Sequence, residues 1–127
     1  MKIETQNWLQ LAESDYEAGL WLFQGAHHPQ AVYSLCQAIE KLLKAVQIER
    51  LGQYPDKTHD LTKLTWESGL SFSGAQRKVL RTLSSHYNRV RYRDMRQAHY
   101  NTKAKVQQII DQAQQIYLWI HKELTDH

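Results

Sequence analysis

The sequence predicts an all-α, mostly antiparallel bundle of four long helices and one short helix, with residues 1–127 forming one domain. Three observations carry that expectation. Apolar residues recur at three- and four-residue spacing in four long stretches. Gly, Pro and Ser signals of the kind that start and stop helices separate those stretches. The chain contains no hairpin signal, no internal repeat and no low-complexity tract.

The first helix is expected from about Thr5 or Asn7 to Gln24, with Trp8, Ala12, Tyr16, Leu20 and Phe23 on one face and Gly25 as its stop. His27 and His28 follow and read as solvated, and Pro29 suits the first turn of a second helix running to about Arg50. That helix has the most regular stripe in the chain, Val32, Leu35, Cys36, Ile39, Leu42, Leu43 and Val46, so it should be the centre of the core. Glu40 and Lys44 read as an exposed i,i+4 ion pair.

A short third helix, Asp60 to about Ser68, presents Leu61 and Leu64, and Thr58 or His59 is placed to cap it. His59 beside Asp60 invites a catalytic reading, but a capping or hydrogen-bonding role has the stronger claim. Ser73 and Gln76 form a capping-box pattern ahead of a fourth helix that runs toward Tyr92, with Val79, Leu80, Leu83, Tyr87 and Val90 inward. The last helix begins near Thr102 and ends near Leu124, burying Val106, Ile109, Ile110, Ala113, Ile116, Tyr117, Ile120 and Leu124.

Composition excludes several classes. With 42% hydrophobic and 23% charged residues the chain is an ordinary globular one, not a disordered one. No apolar run approaches the roughly 18 residues that cross a bilayer, and the N-terminus is too polar for a signal peptide, so a cytoplasmic protein without a membrane partner is expected. The lone Cys36 permits no intrachain disulfide and lies on an apolar stripe, where it reads as a small buried hydrophobe. No phosphate-binding loop or zinc-ligand spacing is present, so neither a metal nor another cofactor is expected. Of the four tryptophans, Trp8, Trp21, Trp66 and Trp119, Trp21 lies off its helix's main stripe and is the candidate for a self-association surface.

Charge is distributed unevenly. Residues 1–73 carry six Lys/Arg against nine Asp/Glu, residues 74–105 nine against one, and residues 106–127 one against three. The basic block is densest from Tyr87 to Tyr100, where Arg89, Arg91, Arg93 and Arg96 fall among Tyr92, His99 and Tyr100, with Asp94 the only acid. A concentrated positive field of this kind points to an anionic partner.

Three motifs then carry a resemblance. Gln37 to Ala45 (Gln-Ala-Ile-Glu-Lys-Leu-Leu-Lys-Ala), Thr58-His59-Asp60-Leu61, and Tyr87 with Arg91-Tyr92-Arg93-Asp94 resemble, in order and spacing, motifs of the HEPN domain family across about residues 5 to 124. The resemblance implies a homodimeric helical bundle. It also implies a metal-independent endoribonuclease, the toxin of a toxin–antitoxin pair whose partner is a minimal nucleotidyltransferase. The family's catalytic signature is an arginine followed after four to six residues by a histidine. Arg93 and His99 satisfy it with five intervening residues at the expected helix junction, and Arg81 and His86 satisfy it with four. In such a site the arginine holds the phosphate and the histidine moves the proton. Arg89, Arg91, Arg96, Tyr92 and Tyr100 are then the candidate contacts to an RNA, either transfer or messenger RNA. The alternative implied by the same resemblance is a non-catalytic module that binds nucleotide or RNA, or regulates the nucleotidyltransferase. A third reading is a helical protein-interaction adaptor.

Overall fold

The computed structural model describes residues 1–91 and 100–126. They form five helices and, among the described residues, no strand: α1 (Ile3–Gln24), α2 (His28–Leu51), α3 (Leu61–Glu67), α4 (Gly74–Val90) and α5 (Lys103–Thr125). The four long helices and the short α3 match the bundle expected from periodicity.

The regular stripe of α2 makes it the axis of the molecule. Val32, Leu35, Cys36, Ile39, Leu42, Leu43 and Val46 are at most 1% exposed, and α1, α3, α4 and α5 all pack against the helix that carries them. Burying a side chain of this size contributes about 1.5–3 kcal/mol, so this row is a large apolar contribution to the fold. Antiparallel α1 lies closest, and Gly19 permits that approach: a Cβ there would sit 2.7 Å from Leu35 Cδ2. Tyr16 of α1 also stacks on Tyr117 of α5, with centroids 4.0 Å apart.

Helix ends follow their local chemistry. Ser73 and Gln76 close both halves of a capping box at the start of α4, with hydrogen bonds of 2.9 and 3.1 Å. Gly52 ends α2 in the left-handed region (φ 65°) and donates its N–H to the Ile48 carbonyl.

Three local expectations are revised, and one is refined. Asp60, not Thr58 or His59, caps α3, because its carboxylate directly precedes the helix and accepts from the Thr62 and Lys63 amides, while Thr58 Oγ1 accepts from the Asp60 amide. Gly25 stops α1 as expected, and the left-handed residue that follows is Ala26 (φ 64°). His28 is buried against Phe23, since it occupies the first turn of α2 instead of a solvated loop. Glu40 and Lys44 are also buried, because α2 is covered on nearly every side and has no solvent face there. Cys36 behaves as expected: burial pushes its thiol well above the usual range, and its S–H points to the Leu83 carbonyl.

Candidate nucleic-acid interface

Helix α4 presents different chemistry on either side of its buried stripe. Leu80, Leu83 and Tyr87 point inward. On one flank Arg81, Ser84, Ser85, Asn88 and Arg91 recur at helical spacing and line an open groove of about 650 Å³. Its opposite wall is Lys57, Thr58, His59, Asp60 and Thr62, from the loop before α3 and that helix's first turn. The groove therefore carries Arg81, Arg91 and Lys57 beside hydroxyls and an imidazole, a lining suited to phosphate oxygens.

Two of these groups are tied to the interior. The Arg91 guanidinium lies 5.0 Å from the centre of the Tyr87 ring, which supports its stem, and its Nη1 has no hydrogen-bond partner among the described residues. His59 Nδ1 lies 2.7 Å from Glu40 Oε1. Glu40 is held from three directions: Tyr87 Oη donates to Oε1 at 2.7 Å and Lys44 Nζ donates to Oε2 at 3.1 Å. Burial alone would raise the Glu40 pKa, but the hydrogen bonds from His59, Tyr87 and Lys44 outweigh it and hold the carboxyl below its ordinary value. Burial and the adjacent Glu40 push the Tyr87 hydroxyl far up, so it remains a neutral donor.

The other flank is organised differently. His86 lies five residues after Arg81, about 140° away around the helix, and is not part of the groove lining. Its Nδ1 is 2.8 Å from Tyr100 Oη. The structure thus does not bring Arg81 and His86 together on one face of α4. Tyr100 is turned inward, 1% exposed, so its ring presents no open face for a base to stack on. Burial raises its hydroxyl pKa, a shift opposed by a hydrogen bond from Arg89. Of the other residues singled out in the basic stretch, Arg91 lines the groove and Arg89 lies with Tyr100 on the far flank. Tyr92, Arg93, Arg96 and His99 lie outside the described residues.

Sequence reasoning missed Glu40 as the organiser of this region. A signal for it existed: Glu40 follows Cys36 by four residues, on the flank of the apolar stripe instead of opposite it. Among the described residues no group of three or more His, Cys, Asp or Glu could hold a metal ion, and no helix is long and apolar enough to cross a membrane.

Comparison with known proteins bears on the same elements. A family model described as the HEPN domain matches residues 5–124. Two solved structures share the fold. TT1696 from Thermus thermophilus superposes with a TM-score of 0.82 at 20% identity, covering 97% of this chain and 100% of its own. ST0689, described as an archaeal HEPN homologue, superposes with a TM-score of 0.71 at 22% identity, covering 98% and 100%. A search of curated proteins found no match to the sequence.

Proposed function

The chain belongs to the HEPN domain family, and on that premise we propose that it is a metal-independent endoribonuclease that holds RNA phosphates in the α3–α4 groove. The observation that carries this reading is the groove itself: Arg81, Arg91 and Lys57 converge beside hydroxyl donors, and the chain runs on from Arg91 into Tyr92, Arg93, Arg96 and His99. In this reading Arg93 stabilises the charge that develops on the scissile phosphate, and His99 transfers a proton during cleavage. Arg89, Arg91 and Arg96 add to the field that attracts the strand, and Tyr92 is the aromatic contact. The working unit is a homodimer, supported by Trp21, 79% exposed on α1. Its cellular setting is the toxin half of a toxin–antitoxin pair, opposed by a minimal nucleotidyltransferase.

Replacement of His99 by Ala is expected to abolish cleavage of transfer or messenger RNA while leaving RNA affinity nearly unchanged, a loss of about 10²–10⁴-fold in rate. Arg93→Ala should abolish cleavage and weaken binding modestly. The product should end in a 2′,3′-cyclic phosphate. A second reading, a binding module without cleavage, is favoured by one feature: the described lining of the groove already holds three cations, Lys57, Arg81 and Arg91. Wild-type protein that binds RNA but never cuts it would establish that reading. Absence of binding even at low salt would overturn both.

A further inference from the structure

Among the described residues that line the groove, His59 has a ring that is both anchored from inside and open to the ligand. Its side chain is 58% exposed although Nδ1 is bound to a carboxylate that is itself 6% exposed. The Tyr87 ring meets the imidazole edge-on at 6.1 Å and its hydroxyl donates to the same Glu40 oxygen, so the imidazole is fixed by two contacts to one buried assembly. In the neutral imidazole, an ionised Glu40 favours the tautomer with the hydrogen on Nδ1, which leaves Nε2 as the lone-pair nitrogen. Nε2 has no partner among the described residues, and Lys57, Arg81 and Arg91 line the same groove. A buried carboxylate behind an imidazole, with the far nitrogen open beside cationic groups, is an arrangement suited to general-base chemistry at a phosphodiester.

We propose that His59, oriented by Glu40, is the base that removes the proton from the RNA 2′-hydroxyl, an inference that rests on the ribonuclease reading above. As the 2′-oxygen attacks phosphorus, its proton passes to His59 Nε2. The O2′–P bond forms and the P–O5′ bond breaks. The departing 5′-oxygen takes the proton that the proposed function assigns to His99, and the two histidines return to their starting states by proton exchange with water. The products are a 2′,3′-cyclic phosphate and a 5′-hydroxyl. His59 is then a catalytic residue, and Glu40 a positioning residue that fixes the tautomer and stabilises the imidazolium.

The test uses the full chain, a mixed-sequence single-stranded RNA and total transfer RNA as substrates, and the 2′-O-methyl form of the first as an uncleavable binding probe. His59→Gln, at an exposed position, is expected to lower kcat by about 100-fold or more, with affinity for the 2′-O-methyl strand within about threefold and thermal stability unchanged. Glu40→Gln should lower kcat by about tenfold or more with KM unchanged. Glu40→Asp should restore part of the rate. If Glu40→Gln fails to fold, His59→Gln decides alone. Cleavage by His59→Gln within threefold of wild type would remove His59 from the mechanism and leave the ribonuclease reading intact. A loss of probe affinity with kcat preserved would make His59 a binding contact and overturn its role as base. Wild-type binding without cleavage would overturn the inference together with the ribonuclease reading.

Discussion

Two histidines flank the buried stripe of α4, and their nearest contacts are almost the same length. His59 Nδ1 lies 2.7 Å from Glu40 and His86 Nδ1 lies 2.8 Å from Tyr100. The chemistry differs because the partners differ. Glu40 is an ionised carboxylate fixed by Tyr87 and Lys44, while Tyr100 is a phenol that burial keeps neutral. A carboxylate fixes the ring's tautomer and stabilises its charged form, whereas a phenol can either donate to the ring or accept from it. The His59 ring opens into a cationic groove, and the His86 ring joins two parts of the fold. A short contact to a histidine therefore does not identify a reactive site. The ionisation of the partner and the surroundings of the other nitrogen do.

The comparison predicts unequal damage, and the largest effect belongs to Glu40. Glu40→Ala leaves Lys44 buried without its counter-charge and removes the acceptor of Tyr87, so it should destabilise the fold by about 3–5 kcal/mol in urea denaturation. A loss below about 1 kcal/mol would mean that water satisfies Lys44 and that the cluster is not an organising element.

The acid limb of stability gives a middle-sized effect. The Glu40 pKa is lowered from 4.5 in the fold, so its contribution is fully present above about pH 4.5 and is lost as pH falls through the lower folded value. Thermal unfolding of the wild type should weaken in that window. Glu40→Gln should flatten the decline while lowering stability at neutral pH. An unchanged acid limb would break the assignment of a charged Glu40.

Much of this architecture was legible because periodicity and caps act locally. The apolar stripes of α2 and α5 and the Ser73–Gln76 box each need only neighbours within a few turns, and the structure reproduces them. Glu40 was not legible as a core residue, since an i,i+4 acid–base pair looks identical on a solvated face and in an interior covered by other helices. His59 could be singled out beside Asp60, but its partner lies nineteen residues away in α2 and is set by packing. Arg81 and His86 met a spacing rule that a continuous helix defeats, because five residues turn the second side chain away from the first. Arg93 and His99 stand as a reading of the sequence and of the family alone.

The smallest predicted effect is the sharpest contrast with Glu40. Tyr100→Phe keeps the buried ring, 1% exposed in the native fold, and removes only the hydroxyl that meets His86 and Arg89. Both partners are only partly buried, so water can replace the lost oxygen more readily than it could reach Lys44. Removing a hydrogen bond with that escape should lower stability by about 0.5–1.5 kcal/mol, several-fold less than Glu40→Ala. Because the hydroxyl lies on the flank away from the groove, RNA affinity and cleavage should stay within about twofold of wild type. The slope of log affinity against log salt should also be unchanged, whereas Arg81→Ala should reduce it by about 0.7 for a single strand through loss of one phosphate contact. Measured side by side, an altered salt slope in Tyr100→Phe and an unaltered one in Arg81→Ala would move the RNA to the opposite flank of α4.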